Sequence, residues 1–301
     1  MIWRSAIVRP LADVLRVSRA YSIPYTVLCG LTAMLLAPTP LPLRAVAIGC
    51  MVPALLAVGL AALNDYTHRQ ADIAAQRGRS YPPWFLLALG VGGTGAALLL
   101  AAWGGTGLVW GLAGCIVAGL AYGLLKKYPG AGNLLRGVTS IPLILGLGSL
   151  AGSDLGAMLP LAGGIALLDA AGNLYGDVRD AERDRQSGTR TLAVVAPGSA
   201  IPVAVSLHLL AVVLWSLAGW LLWPTLAGLA WVITRQQHWQ HRAFLMLKYA
   251  TVGVLALTLA RSPGEYALSM AVALGGGAGA WAIYTSIHQE RGEERHYAAS
   301  H

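Results

Sequence analysis

Apolar runs long enough to cross a lipid bilayer recur along the whole chain, and they restrict it to a small set of folds. A membrane-spanning helix needs about 20 mostly apolar residues. Nine runs qualify: 20–37, 43–63, 84–103, 106–124, 136–153, 156–175, 201–221, 244–260 and 265–287. Only 11% of the 301 residues are charged, against about 25% in soluble domains. We therefore predict an all-α integral membrane protein, which excludes the soluble globular classes.

The positions of the basic residues predict the orientation of these spans. Of the 21 lysines and arginines, all but Arg44 and Arg261 lie at the N-terminus, in the tail, or in alternate connections. Basic residues collect on the cytoplasmic side of membrane proteins. The connections 176–191 and 235–248 are both basic, so two crossings should separate them. The short run 222–234 is then a tenth span, and we favour ten spans over nine.

Two short acidic segments interrupt this apolar pattern. "LNDYTHRQAD" (63–72) follows the second predicted span, and "LYGDVRDAERD" (174–184) follows the sixth. In the second segment Asp177, Asp180 and Asp184 are spaced i, i+3, i+7. Asp65, His68 and Asp72 repeat that spacing in the first. On a helix, such residues share one face.

Carboxylates stacked along a helix near a membrane repel one another unless something neutralises them. A divalent cation would do so, and oxygen ligands suit Mg²⁺, which binds few protein groups together with substrate phosphates. Two such stripes on the same membrane face would hold Mg²⁺ and a diphosphate between them. The alternative is a pair of ordinary solvated loops, which the repeated spacing disfavours.

These segments resemble the two aspartate-rich motifs of the UbiA superfamily of intramembrane prenyltransferases. "GDVRDAERDRQSGTRTL" matches the second motif, including the following Gly188, Thr191 and Leu192, and "NDYTHRQAD" matches the first less well. "YGLLKKYPGAGNLLRG" (122–137) resembles the family's segment between the fourth and fifth spans. The order of spans and loops also agrees, so the resemblance covers most of the chain.

The resemblance implies a single bundle over residues 1–301, around a central cavity open to the cytoplasm and laterally to lipid. Residues 1–19 and 288–301 would be cytoplasmic. It further implies Mg²⁺-dependent transfer of a prenyl group from a prenyl diphosphate to a lipophilic or membrane-associated acceptor, with release of diphosphate. Membrane lipids are then partners and nucleic acid is not. In a bacterium the protein would lie in the inner membrane.

The motif match assigns roles to individual residues. Catalytic roles fall to Asp65, Asp177 and Asp180. Metal ligation falls to Asp65, Asp72, Asp177, Asp180 and Asp184. The expected substrate-binding residues are Asn64, His68, Tyr122, Lys126, Asn133, Arg136 and Asp169.

Several of these assignments have simpler alternatives. Lys126 is equally well an ordinary basic flank of a span, and Tyr122 a member of the aromatic belt. Arg19 is expected chiefly to anchor the first span at the interface, although a contact with diphosphate or acceptor stays open. Asp169 lies inside the sixth span, where a carboxylate usually faces a cavity. We expect it to bind the acceptor or handle a proton.

His68 is the main departure from the family pattern, which has aspartate there. Imidazole is a poor ligand for Mg²⁺, whereas a protonated imidazole would hydrogen-bond a diphosphate directly. A third interpretation of His68 is that the protein has lost catalytic activity. The sequence therefore leaves two rivals to the enzyme, namely a non-catalytic membrane carrier or assembly protein and a small-molecule transporter.

Overall fold

The computed structural model describes residues 14–15, 17, 19–74, 81–125, 128–186, 188–220 and 224–290. Within these ranges, nothing is described of the side chains of residues 68, 70–74, 183, 224, 237–238 and 286–290. The described backbone forms helices joined by short turns and contains no strand. The predicted all-α architecture is therefore confirmed.

Thirteen α-helices follow a short 3₁₀ turn at Ala20–Ser22 in the described part of the chain. They are α1 (Ile23–Met34), α2 (Leu43–Ala74), α3 (Pro83–Gly104), α4 (Thr106–Leu125), α5 (Ala131–Val138), α6 (Ser140–Leu150), α7 (Leu155–Gln186), α8 (Leu192–Val195), α9 (Pro197–Leu217), α10 (Pro224–Ile233), α11 (Gln237–Leu259), α12 (Pro263–Met270) and α13 (Gly277–Glu290). A π-helical segment, Ala271–Gly276, joins α12 to α13.

Local sequence explains where several helices begin and end. Pro83, Pro197 and Pro263 each open a helix, because proline lacks the N–H that would go unpaired in the first turn. Ser262 and Glu265 form a reciprocal capping box at the start of α12, which satisfies two more such groups. Gly105, with φ of 113°, ends α3 and allows the tight turn into α4.

In the described part of the chain, eight helical stretches are long and apolar enough to cross a membrane. They are Leu43–Thr67, Pro83–Gly104, Thr106–Leu125, Ala131–Leu150, Leu155–Glu182, Pro197–Leu217, Trp239–Leu259 and Pro263–Thr285. The expected spans 20–37 and 222–234 correspond to α1, which has 12 helical residues, and α10, which has 10. Both fall short of the usual spanning length, so crossings by these two helices stay a prediction.

Helices α2 and α7 are longer than a bilayer requires. Each contains 32 residues, or about 48 Å at 1.5 Å per residue, whereas the hydrocarbon layer is about 30 Å thick. Both helices run without a break through the acidic segments. The two stripes therefore lie on the last turns of these helices, and the solvated-loop alternative does not describe them.

Helix α7 occupies the middle of the packing arrangement and contacts α5, α6, α9 and α11. Helix α1 packs against α2, α6 and α11, so it brings an early helix of the chain into contact with a late one. Away from the acidic stripes, the Glu265 carboxylate accepts hydrogen bonds from the backbone N–H groups of Leu41 (3.2 Å), Arg261 (2.9 Å) and Ser262 (3.2 Å). This contact ties the turn before α12 to the turn before α2.

Candidate functional site

Asp177 lies on the last turns of α7 and is held by a residue from α5. The side-chain amide of Asn133 donates a hydrogen bond of 2.8 Å to Asp177 Oδ2. Asn133 is only 4% exposed, and it reaches Asp177 because α5 packs closely on α7. A carbon atom added at Gly137 would lie 2.2 Å from the Ala166 carbonyl oxygen. Glycine at this position therefore fixes the distance between the two helices.

Asp180, one turn further along α7, is bound by its neighbour Arg179. The Arg179 guanidinium donates to both carboxylate oxygens, at 2.9 and 2.7 Å. The same guanidinium donates to Tyr284 Oη at 3.1 Å and lies 3.2 Å from His241 Nδ1. Tyr284 Oη and His241 Nδ1 are 2.9 Å apart. Residues from three helices, α7, α11 and α13, thus fix the Arg179–Asp180 pair.

Asp65, on the last turns of α2, is paired in the same way with Arg19. The closest nitrogen–oxygen distance is 3.2 Å. Burial lowers the pKa of the Arg19 guanidinium, but Asp65, Tyr21 and Tyr122 together outweigh it and raise that pKa above its ordinary value, which keeps the group charged. Arg19 also has a left-handed backbone, with φ of 48°. Such a conformation costs a non-glycine residue about 1–2 kcal/mol, and strained residues of this kind concentrate at functional sites.

Tyr21 connects the two acidic helix ends. It follows Arg19 by two residues, and Tyr284, on which its ring packs, accepts a hydrogen bond from Arg179. Its ring packs edge-to-face on Tyr284, with 5.2 Å between ring centroids. The two carboxylate–arginine pairs therefore flank one polar region at the same end of the bundle.

A small cleft opens beside Asp177. It is lined by Tyr128, Gly130, Gly132, Asn133, Asn173, Asp177 and Thr191. Thr191 is 5% exposed, and its hydroxyl has no hydrogen-bond partner among the described residues. The cleft joins two of the three segments on which the family resemblance rests, because the segment 122–137 and the second acidic motif with its following threonine both contribute to it.

Asp169 lies deeper in the bundle, two turns before Asp177 on α7. Its Oδ1 accepts a hydrogen bond of 2.6 Å from the Lys248 ammonium on α11, and its Oδ2 accepts one from the Ser140 hydroxyl on α6. Both charged side chains are 12% exposed. The Lys248 nitrogen also lies 3.7 Å from the centre of the Tyr25 ring on α1. Four helices thus meet at one buried ion pair.

The remaining predicted residues fall into four groups. Asn64 and Tyr122 are partly buried, Arg136 is exposed, and Asp184 is 6% exposed on the last turn of α7. Tyr122 lies within electrostatic reach of Arg19, which places it beside the site. Lys126 and the side chains of His68 and Asp72 lie outside the described residues.

The donor atoms at the site are oxygens, the kind that Mg²⁺ binds. The described carboxylates of the two helix ends offer oxygen, the atom that Mg²⁺ prefers. No three described His, Cys, Asp or Glu side chains lie close enough together to hold a metal ion. Mg²⁺ commonly binds through one or two carboxylates plus substrate phosphates, so Asp65 and Asp177 would hold it together with a diphosphate.

Arginine counter-ions were the part of the site that the sequence pattern did not predict. The acidic spacing suggested a metal as the neutralising charge, whereas the described structure places Arg19 on Asp65 and Arg179 on Asp180. His241 and Tyr284 were given no role from sequence. Their contacts join positions 62 and 105 residues away from Arg179, and no local pattern could have indicated that.

Comparison with known proteins places this geometry in a family. The model of the UbiA prenyltransferase family matches residues 24–242. No curated protein sequence matches the chain. Among solved structures, a UbiA homolog from Archaeoglobus fulgidus bound to DMAPP and Mg²⁺ is similar, with 15% identity and a TM-score of 0.61 over 90% of this chain and 99% of that one.

Two further structures have the same fold. The apo structure of a UbiA homolog from Aeropyrum pernix K1 is 18% identical, with a TM-score of 0.59 over 87% of this chain and 96% of that one. A digeranylgeranylglyceryl phosphate synthase is 16% identical, with a TM-score of 0.57 over 89% and 99%. The family sequence pattern covers well over half of the chain, so this protein belongs to the UbiA prenyltransferase family.

Proposed function

We propose that the protein transfers a prenyl group from a prenyl diphosphate to a membrane-associated acceptor, with Mg²⁺, and releases diphosphate. The observation that carries this proposal is the meeting of two acidic helix ends in one polar region, where the contact of Tyr21 with Tyr284 links their two arginines. Family membership supports it at the level of the reaction. The similar structures with bound DMAPP or GPP and Mg²⁺ support it at the level of the donor.

The chain's own residues would divide the work as follows. Asp65 and Asp177 would hold the metal, with Asp180 as a further ligand one turn along α7, and Asn133 keeps Asp177 in position. The metal would supply charge neutralisation for the leaving diphosphate. With Asp65 and Asp180 bound to the metal, Arg19 and Arg179 would be free to bind diphosphate oxygens, each through two parallel N–H groups. Asn64, Tyr122, Lys126 and Arg136 complete the donor site in this proposal, and His68 contributes a hydrogen bond to it.

The bond that breaks joins C1 of the prenyl group to the diphosphate oxygen, which keeps the electron pair. The bond that forms joins C1 to the nucleophilic atom of the acceptor, and that atom then loses a proton. Every charge that develops on the diphosphate therefore appears beside the acidic helix ends. We also propose that this end of the bundle faces the cytoplasm, as the basic connections predict.

The test is transfer of label from a radiolabelled prenyl diphosphate to lipid-extractable product. Wild-type protein in native membranes with Mg²⁺ should transfer label, and Asp180→Ala should abolish transfer. Asp154→Ala is the matched control, because this exposed carboxylate caps the opposite end of α7. Undiminished transfer by Asp180→Ala would overturn the assignment of the second acidic segment to the site. No transfer by wild-type protein with any prenyl donor would favour the non-catalytic carrier instead.

A further inference from the structure

The buried ion pair between Asp169 and Lys248 is costly where it lies. Charged side chains inside a membrane bundle are rare and usually mark a functional site. Each carboxylate oxygen of Asp169 has one partner, Lys248 or Ser140, so the carboxylate is well satisfied. The cluster therefore does not need a ligand to neutralise a charge.

Two polar groups at the same cluster retain unused hydrogen-bonding capacity. Tyr25 is 6% exposed, and its hydroxyl lies near the Asp169 carboxylate and the Cys29 thiol but makes no well-formed hydrogen bond to either of them or to any other described group. Lys248 has three N–H donors. One bonds Asp169, and the ammonium lies over the Tyr25 ring, which leaves donor capacity beside the unpartnered hydroxyl. An unpaired polar group in such surroundings is destabilising, so a ligand oxygen here would be stabilised.

The cluster lies at the depth expected for the side of prenyl C1 that faces away from the leaving diphosphate. Asp169 precedes Asp177 by eight residues, or about 12 Å along α7. A diphosphate held at Asp177 would extend part of this distance, with C1 beyond it. A nucleophile attacking C1 opposite the leaving oxygen would then come close to Tyr25 and Lys248.

We infer that Tyr25 and Lys248 bind a neutral hydroxyl or carbonyl oxygen of the prenyl acceptor. The ligand oxygen should be neutral because the Asp169 carboxylate already compensates the charge of Lys248. A second anion would lie beside that carboxylate in a low-dielectric interior, where the two would repel. A carboxylate or phosphate headgroup is excluded at this position by the same reasoning. The identification of the ligand as the acceptor rests on the proposed function, whereas the site itself does not.

The experiment uses two small probes that differ in charge, p-propylphenol and p-propylbenzoate. Their binding to the purified, detergent-solubilised full chain is measured by calorimetry without metal or prenyl donor. Wild-type protein should bind the phenol at least tenfold more tightly than the benzoate. Tyr25→Phe keeps the ring over Lys248 and removes only the hydroxyl, so it should weaken phenol binding about tenfold.

Tyr175→Phe is the matched control. Tyr175 is 1% exposed, its hydroxyl is also unpartnered, and its ring stacks on Phe244 at 4.7 Å, one turn before Lys248 on α11. This variant should bind the phenol as wild-type protein does. Equal binding of the two probes, an unchanged Tyr25→Phe variant, or equal losses in both variants would overturn the inference.

The outcomes separate this inference from the proposed function. If phenol binding depends on Tyr25 but the protein transfers no prenyl group, the interior site stands and the proposed reaction fails. If prenyl transfer occurs but phenol binding ignores Tyr25, only the interior site fails.

Discussion

At the scale of single residues, the arginines beside the carboxylates reduce the net negative charge of the site. Arg179 neutralises Asp180 and is itself held by Tyr284 and His241. Arg19 plays the same part for Asp65. A metal that binds Asp65 or Asp180 must therefore displace a guanidinium from that carboxylate.

Replacement of Arg179 should expose this competition. Arg179→Ala removes both hydrogen bonds to Asp180 and restores repulsion along the acidic face of α7, so it should cost about 1–3 kcal/mol and lower the melting temperature by several degrees. Added Mg²⁺ should raise that temperature more in the variant than in wild-type protein, because no guanidinium must be displaced. Differential scanning fluorimetry with and without EDTA measures both effects.

Arg185→Ala provides the comparison for this variant. Arg185 pairs with Glu182 on the same helix, but the two side chains are 53% and 64% exposed, and exposed pairs of this kind contribute little. Its melting temperature and its response to Mg²⁺ should match those of wild-type protein. An Mg²⁺ response that is the same in Arg179→Ala and wild-type protein would show that Arg179 does not compete with the metal.

At the scale of helices, contacts through glycine set the geometry of the site. Gly137 on α5 lies against the Ala166 carbonyl of α7, and Gly111 on α4 lies against Gly146 on α6. Gly123, near the end of α4, has open space where a side chain would begin. The first contact matters most for function, because it carries Asn133 to Asp177.

Gly137→Ala should therefore disturb the site from a distance. The added methyl group would overlap the Ala166 carbonyl oxygen, and overpacking of this kind costs about 1–3 kcal/mol. Separation of α5 from α7 would break the Asn133–Asp177 hydrogen bond, so prenyl transfer should fall at least tenfold. Gly123→Ala is the control and should keep wild-type activity and melting temperature. Full activity in Gly137→Ala would disprove the positioning role of α5.

The sequence was sufficient to predict the long apolar helices but not which helices contact one another. Apolar length predicted the eight long spans, and the i, i+3, i+7 spacing predicted that both acidic segments are helical, because both properties are local. The distant partners of Arg179 come from α11 and α13, and those of Asp169 from α6 and α11. Such pairings depend on which helices pack together, which hydropathy and spacing do not encode.

At the scale of the whole molecule, the bundle has two chemically different ends. One end carries the acidic turns of α2 and α7, with their arginines. The other is closed by Glu265, which binds backbone N–H groups from two separate turns. The basic residues of the sequence predict that the first end faces the cytoplasm.

Labelling with a membrane-impermeant thiol reagent tests this orientation. A cysteine placed at the exposed Arg185 should react only from the cytoplasmic side, and one placed at the exposed Asp154 only from the opposite side. The native Cys29 and Cys115 are buried and Cys50 is partly buried, so the unmodified chain should label weakly from either side. Reaction of Arg185→Cys from the outside would reverse the predicted topology.

The central claim is that the acidic ends of α2 and α7 together hold a metal-bound prenyl diphosphate. The measurement that tests it most directly is equilibrium binding of radiolabelled geranyl diphosphate to the purified protein, with Mg²⁺ or with EDTA. We predict that EDTA abolishes binding, and that Asp65→Asn and Asp177→Asn each weaken it at least tenfold while Asp154→Asn does not. Binding that survives EDTA, or that survives either substitution at the acidic ends, would contradict the claim.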